Sequence, residues 1–436
     1  MYNYMKYYSI PKDLFIENRG KFIKELKPQS LAVFFSNDLV PVNADAHYPF
    51  SQNSNFFWLT GIDQEECILW LFPDCPREEF REILFIRKTN EQIQTWEGWK
   101  YSKEEAYEAS GIKNIKYVEE FEAVFLQAIG FCENIYLDFN EHPRNTLFYA
   151  TPAHHLAYRI QKEFPAHKIQ RAYPILAYLR SIKSEIEIQL LRKAIEITHQ
   201  AFLRVLKFIR PGVYEYEIEA EIWHEFIRNR ATGPAYGSII ASGKNACVLH
   251  YVLNNAVCHD GDMILLDFGA EYANYSADLT RTVPVNGKFT ARQKQVYEAV
   301  LTVMKESKKL LVPGKDNIYS YHKKVGEIMT DKLLEIGLLT TEEVKNQNPD
   351  YPAYKKYFMH GTSHYLGLDT HDVGFMHKTF EPGMVFTCEP GIYILEEGLG
   401  IRLENNILIT ENGNVDLMEN IPIEIEEIES LMNSGK

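Results

Sequence analysis

The hydrophobic and polar positions divide this chain into two stretches with different periodicity. In the first third, short apolar runs alternate with polar segments, and the runs read SLAVFFS, CILWLFP, EILFIR and NIYLDF. Such runs are typical of buried strands. The segment KDLFIENRGKFIKELK has the apolar spacing of an amphipathic helix instead. The pattern therefore predicts a mixed α/β domain in the N-terminal part of the chain.

A long amphipathic helix is predicted from residue 184 onward. Ser184 and Glu187 have the spacing of a capping box, and Pro211-Gly212 is a stop signal. The apolar positions between them share one helical face: Leu190, Leu191, Ala194, Ile197, Ala201, Val205 and Phe208. Because the periodicity changes here, we place a domain boundary within 172–184. The sequence predicts an α+β protein with domains at 1–175 and 176–436.

The second domain shows signs of an internal duplication. A further helix is predicted at about 214–230, another begins at a capping box of Thr290 and Gln293, and a fourth covers about 318–339. Strand-like segments follow each pair of helices. Helix, helix and hairpin therefore occur twice, which predicts two similar halves.

Each predicted hairpin contains two acidic residues at symmetric positions about its turn. Asp267 and Asp278 lie in ILLDFGAEYANYSADLTRT, and Glu389 and Glu404 lie in TCEPGIYILEEGLGIRLENN. If both stretches fold as hairpins, each pair lies cross-strand on one face. Burying four carboxylates in apolar strands is costly without cations. We therefore expect a metal site with two ions.

Histidines near these hairpins extend the candidate site. His360, His364 and His371 occur together in MHGTSHYLGLDTHDVG, and His250 lies upstream of the first acidic pair. A site of several carboxylates and one imidazole favours Mn²⁺, with Co²⁺, Fe²⁺ or Zn²⁺ as alternatives. Two bridged cations are suited to hydrolysis of amides or phosphate esters. No GxxxxGK[ST] loop is present, so nucleotide chemistry has no support.

Composition restricts the partners and the compartment. The formal net charge of -14 argues against nucleic acid or an anionic membrane as a partner. The six cysteines are scattered without a CxxC pair, as is typical of free thiols in a reducing compartment. The N-terminal residues lack the apolar core of a signal peptide, and no apolar run is long enough to span a membrane. We expect a cytoplasmic protein.

Several motifs resemble one family of peptidases. HGTSHYLGLDTHDVG, EPGIY, DLTRTVPVNGKFT and GIRLEN resemble the aminopeptidase P and prolidase branch of the pita-bread metallopeptidases, peptidase family M24B. QNSNFFWLTGID resembles the N-terminal domain of the same branch. The resemblance implies a mixed α/β domain of the creatinase/aminopeptidase P type, followed by a pita-bread catalytic domain.

The resemblance also implies a metal-ligand set and catalytic roles. The implied ligands of two divalent ions are Asp267, Asp278, His364, Glu389 and Glu404. Glu389 would also act as the general base. His371 and His250 would contact the substrate carbonyl and stabilise the oxyanion.

Four further residues have implied roles around these ligands. His360 would line the pocket on the leaving-group side. Arg402 would pair with the first aspartate of the ligand set, in a contact that also includes Tyr236. Tyr393 would hydrogen-bond the tetrahedral intermediate.

The implied reaction is hydrolysis of the bond between an N-terminal residue and a following proline, by a homodimer or homotetramer. Proline forms a tertiary amide without an N–H group, so proteases that bind that group handle this bond poorly. Two alternatives stay open. One is an Xaa-Pro dipeptidase, or prolidase, with the same ligands, and the other is a pita-bread protein that binds without hydrolysis. The short connection between Glu389 and Glu404 leaves the preferred peptide length open.

Overall fold

The chain divides into two compact units, Met1–Arg180 and Ser181–Lys436. The computed structural model describes residues 6–145 and 148–434. The first five residues, part of the N-terminal segment for which the sequence predicts no signal peptide, lie outside the described residues. The division after Arg180 falls close to the predicted domain boundary after residue 175, which itself stays a prediction.

The first unit contains a six-stranded mixed sheet in the order β6-β5-β4-β1-β7-β8, together with a separate β2-β3 pair. Its strands are β1 (Ser30–Phe35), β2 (Pro41–Asn43), β3 (Ala46–His47), β4 (Ile68–Leu71), β5 (Glu82–Ile86), β6 (Ile115–Tyr117), β7 (Asn134–Leu137) and β8 (Lys168–Arg171). Its helices are α1 (Asp13–Lys24), α2 (Ser54–Thr60), α3 (Glu91–Glu97), α4 (Lys103–Ser110), α5 (Phe121–Ala128), α6 (Pro152–Glu163) and α7 (Tyr173–Ser181). All four apolar runs singled out in the sequence form strands of the large sheet.

Strand β1 has side chains buried on both faces, which explains its continuous apolar sequence. Leu31 and Val33 pack in one cluster with Phe125 of α5. Phe34, which points to the other face, makes an edge-on ring contact with Phe22 of α1. A strand covered on both faces needs apolar side chains at every position.

The second unit contains long helices and short antiparallel sheets. Its helices are α8 (Glu185–Phe208), α9 (Glu215–Arg228), α10 (Ala291–Lys308), α11 (Ile318–Glu335), α12 (Thr341–Lys345) and α13 (Ile425–Asn433). Its strands are β9 (Gly233–Pro234), β10 (Ile239–Ser242), β11 (Met263–Phe268), β12 (Ala270–Tyr272), β13 (Tyr275–Ser276), β14 (Leu279–Pro284), β15 (Val385–Cys388), β16 (Gly391–Ile394), β17 (Leu399–Arg402), β18 (Asn405–Thr410) and β19 (Gly413–Asp416). Helices α8 and α9 precede the first acidic hairpin; α10 and α11, followed by the short α12, precede the second, so the predicted pairs of long helices are present.

Local signals set where the main helices begin. Ser184 and Glu187 form a reciprocal capping box at the start of α8. Thr290 and Gln293 do the same at the start of α10. Each cap satisfies backbone N–H groups that the first helical turn cannot pair internally. Within the described residues, none of the helices is both long and apolar enough to cross a membrane.

The first acidic hairpin has a register that differs from the predicted one. The sequence predicts Asp267 directly across from Asp278, but Asp267 pairs with Thr280. The turn lies at Ala273 and Asn274, both of which have positive φ. A two-residue turn with positive φ at both positions matches the twist of the flanking strands and fixes the register. The two aspartates are therefore diagonal neighbours on one face.

The second acidic hairpin has the predicted register. Cys388 pairs with Asn405 on one side, and Gly391 pairs with Arg402 on the other. Both pairs belong to the same register, which places Glu389 opposite Glu404. An isolated antiparallel bridge between Thr280 and Glu404 then joins the two hairpins. This bridge brings the acidic pairs of both halves together.

Candidate metal centre

Three of the predicted ligands form a compact buried group. Ligand atoms of Asp278, His364 and Glu404 all lie within 4.8 Å of one another. Oε2 of Glu404 accepts a hydrogen bond from the Thr280 hydroxyl at 2.6 Å. Oε1 of Glu404 is buried and has no hydrogen-bond partner among the described residues. A buried carboxylate oxygen without a donor is expected to face a cation.

The tautomer of His364 directs one ring nitrogen at the carboxylates. Its Nδ1 lies 2.9 Å from the backbone carbonyl of Tyr365, which can only accept, so Nδ1 carries the proton. Its Nε2 faces Asp278 at 3.4 Å and Glu389 at 3.6 Å. Burial opposes protonation of His364, but Asp278 and Glu389 raise its pKa overall. Fixing of one nitrogen by a backbone carbonyl is typical of metal-binding histidines.

Asp267 lies beside this group and is held by two side chains. Arg402 donates to its Oδ2 at 2.5 Å, as the resemblance implies for this arginine. The hydroxyl of Tyr236 lies 2.7 Å from Oδ1 of Asp267 and 2.5 Å from Oδ1 of Asp278. Burial raises the pKa of Asp267, and Arg402 partly offsets this. Asp267 and Asp278 are thus oriented by a common phenol.

A chain of hydrogen bonds connects Asp267 to His360. Arg402 donates to the Tyr393 hydroxyl at 2.8 Å, and that hydroxyl lies 2.8 Å from Nε2 of His360. Nδ1 of His360 lies 2.8 Å from the carbonyl of Gly361, so it carries the ring proton. Burial lowers the pKa of His360 to about 3, which leaves the ring neutral. Nε2 of His360 therefore accepts the Tyr393 proton.

Glu389 is the most open of the acidic residues in the cluster. Its side chain is 18% exposed, whereas that of Asp278 is 7% exposed. Burial raises the pKa of Glu389 to about 7, and His364 partly offsets this. Thr387 donates to its Oε1 at 3.4 Å, and Oε2 lies 3.7 Å from Nδ1 of His360. A half-buried carboxylate of this kind is suited to proton transfer near neutral pH.

The two remaining histidines are exposed. The ring of His371 contacts that of His364 edge-on, with centroids 4.3 Å apart. His250 lies on the connection between β10 and β11, and, in addition to burial, its charge contributes to lowering the pKa of His360. The implied substrate roles of both residues stay predictions.

Two residues that the sequence analysis missed hold the cluster in place. Thr280 donates to Glu404 and also accepts a hydrogen bond from Nε of Arg402 at 3.2 Å. Arg281 is fully buried and donates to the Glu404 carbonyl at 2.8 Å. Thr280 follows Asp278 by two positions in an extended segment, so a period of two places both on one face. That period could have identified Thr280, whereas Arg281 gives no such signal.

The donor set fits a divalent cation. Burial and mutual repulsion raise the pKa of Glu404 well above its ordinary value. Oε1 of Glu404 has no hydrogen-bond partner among the described residues, and ligand atoms of Glu404, His364 and Asp278 lie within 4.8 Å of one another. Several hard oxygen donors with one imidazole suit a divalent transition metal. The fold and this site define a metal-dependent hydrolytic centre.

Comparison with known proteins identifies the family. A family model described as Metallopeptidase family M24 matches residues 189–411, and one described as Aminopeptidase P, N-terminal domain matches residues 15–136. The Xaa-Pro aminopeptidase of Haemophilus influenzae is 36% identical over 438 residues, covering 97% of this chain and 98% of that protein. The Xaa-Pro aminopeptidase of Escherichia coli is 35% identical over 442 residues, covering 98% and 99%.

A solved structure agrees with these sequence matches. Zinc-substituted E. coli aminopeptidase P in complex with product superposes with a TM-score of 0.87 at 35% identity, covering 98% of this chain and all of that one. The chain belongs to metallopeptidase family M24, and it has the two-domain fold of aminopeptidase P. The expected fold class and the family resemblance are thereby confirmed. As a member of this family, the chain is a metal-dependent peptidase.

Proposed function

We propose that this chain is an Xaa-Pro aminopeptidase, which removes the first residue from peptides with proline in the second position. The observation that carries the proposal is the buried group of Asp278, His364 and Glu404, in a chain similar to Xaa-Pro aminopeptidases over nearly its whole length. A binding protein without hydrolysis would have no need for this group. The alternative, an Xaa-Pro dipeptidase, would cleave dipeptides in place of longer peptides. An assay with peptides of both lengths distinguishes the two functions.

The proposed ligands are Asp267, Asp278, His364, Glu389 and Glu404, and the proposed cofactor is two Mn²⁺ ions. The five side chains offer several oxygens and one imidazole nitrogen, which suits Mn²⁺ better than metals that prefer thiolates. Divalent ions bound here would supply Lewis-acid polarisation of the scissile carbonyl and a nucleophile at neutral pH.

Glu389 is the proposed general base. Its partly exposed side chain supports proton transfer from an attacking water to the proline nitrogen. Like any amide nitrogen, the proline nitrogen needs a proton before it can leave. A cation bound to the Glu389 carboxylate would keep that carboxylate ionised and therefore able to accept a proton.

The surrounding residues orient the substrate and the reacting groups. His371 and His250 are proposed to donate to the developing oxyanion, and their exposure leaves them accessible to a peptide. Tyr393 is proposed to approach the tetrahedral intermediate, with Arg402 and His360 holding its hydroxyl. His360 is neutral and half-buried, which suits a wall of the leaving-group pocket.

Turnover of defined peptides tests the proposed function. The protein is treated with EDTA, reconstituted with Mn²⁺, Co²⁺, Fe²⁺ or Zn²⁺, and assayed on Arg-Pro-Pro and Gly-Pro. We expect release of arginine from Arg-Pro-Pro, loss of this activity with EDTA, and the greatest recovery with Mn²⁺ at two ions per chain. Preferential cleavage of Gly-Pro would indicate the dipeptidase, and activity indifferent to chelation would contradict the metal centre.

The proposed assembly is a homodimer or homotetramer, and the proposed location is the cytoplasm. Five of the six cysteines are buried, and all six are free in the described residues, which suits a reducing compartment. Sedimentation of the purified protein and cell fractionation test these two proposals. A monomer, or recovery outside the cytoplasm, would contradict them.

A further inference from the structure

Outside the metal centre, the buried carboxylate of Glu215 holds residues 242–256, the segment that contains His250. Glu215 is the first residue of α9 and is fully buried. Its Oε1 accepts from the backbone N–H of Ser242 at 2.7 Å, from the Ser242 hydroxyl at 2.9 Å and from Asn245 Nδ2 at 3.3 Å. Its Oε2 accepts from the Tyr251 hydroxyl at 2.8 Å and from the Ala256 N–H at 2.9 Å. One carboxylate thus joins both ends of the segment and its centre.

All five of these donors are neutral, so the charge of Glu215 is stabilised by hydrogen bonds. These five donors require a side chain that accepts hydrogen bonds at both of its terminal atoms. Both carboxylate oxygens are acceptors, whereas a glutamine would direct its NH₂ group at donors on one side. The backbone N–H of Glu215 also donates to the Ala256 carbonyl at 3.0 Å, which doubles the link to the end of the segment.

Asn254 fixes the same segment to the sheet that contains Asp267. Its Oδ1 accepts from the N–H of Ile240 at 3.0 Å, and its Nδ2 donates to the carbonyl of Ser238 at 2.9 Å. Ile240 lies in β10 and Ser238 directly precedes that strand, which pairs with β11 at Asp267. Asn254 itself has a φ of 45°, a conformation that asparagine tolerates better than most residues. The segment therefore has a defined position relative to the metal-site strands.

We propose that Glu215 is a positioning residue that acts through His250. His250 is exposed and precedes Tyr251, whose hydroxyl donates to Glu215. Fixing Tyr251, Ser242 and Ala256 on one carboxylate limits the positions that His250 can take. This inference rests on the proposed function, in which His250 contacts the substrate carbonyl.

A double-mutant cycle tests this role because it separates positioning from general stability. Glu215→Gln, His250→Ala and the double variant are reconstituted with Mn²⁺ and assayed on Arg-Pro-Pro. We expect Glu215→Gln to lower kcat by about tenfold or more, as for loss of hydrogen bonds to a charged group. The KM and the metal content should stay near those of the parent. In the His250→Ala background the same substitution should change kcat less than about twofold.

Two further variants keep the test decisive. Tyr251→Phe removes one donor to Glu215 with little change in volume, and it replaces Glu215→Gln in the cycle if that variant does not fold. Asp316→Asn is the matched control, because Asp316 is also buried and its side chain binds Ser320 and Lys324, away from the His250 segment. We expect this control to retain the parental kcat.

The possible outcomes separate this inference from the proposed function. An inactive parent enzyme would contradict the proposed function itself. An active parent with an unaffected His250→Ala variant would contradict the oxyanion role of His250 and, with it, the positioning role of Glu215. An equal loss from Glu215→Gln in both backgrounds would overturn the positioning role alone.

Discussion

Removal of the metal should make the stability of the protein depend strongly on pH. Burial and mutual repulsion raise the pKa values of Asp267, Glu389 and Glu404, and the neighbouring carboxylates raise that of His364. A group whose pKa is higher in the folded protein binds more protons there than in the unfolded chain. Its contribution to stability is therefore present at low pH and is lost as the pH rises through the folded pKa.

The size of the effect can be worked out for Glu389. Its pKa is about 7 in the folded chain, against an ordinary value of 4.5. At about 1.4 kcal/mol for each tenfold change, this difference corresponds to roughly 3 kcal/mol lost between about pH 4.5 and pH 7. For a unit of this size, that free energy corresponds to a fall of roughly 6–12 °C in the unfolding midpoint.

The assay is thermal unfolding of EDTA-treated protein at pH 5 and pH 8, with and without added Mn²⁺. We expect Mn²⁺ to raise the midpoint more at pH 8, because the ligands must be deprotonated to bind it. Glu389→Gln removes the titrating group and is the matched comparison. The metal-free variant should lose roughly 3 kcal/mol less than the parent between the two pH values. Equal pH dependence in variant and parent would refute the reasoning.

Two substitutions test other parts of the site, and a further pair of substitutions tests a buried ion pair. Asp267→Ala should abolish metal binding and turnover while circular dichroism shows a retained fold, and normal metal content would contradict its role as a ligand. His371→Ala should leave metal content unchanged and lower kcat by about 100-fold, as for loss of an oxyanion donor; full activity would exclude that role. Lys183 and Asp372 form a buried ion pair at 2.8 Å. Lys183→Met should lower the free energy of unfolding by about 3–5 kcal/mol in chemical denaturation, and adding Asp372→Leu should recover part of it.

Much of the fold could be predicted because its signals are local. The capping boxes at Ser184 and Thr290 lie within a few residues of the helices they begin. The turn at Ala273 and Asn274 shows the limit of this reasoning. Symmetry of the acidic residues predicted a turn one position earlier, whereas backbone conformation fixed the observed register.

The sequence by itself determined the types of ligand and the family, because carboxylate and imidazole chemistry and the motif spacing are properties of the residues. Tertiary structure alone decided how the two hairpins join, through the bridge between Thr280 and Glu404. It also decided that the carboxylate of Glu215 holds Ser242 and Ala256. These contacts join residues far apart in the chain. Their geometry depends on the packing of whole elements, which no local propensity specifies.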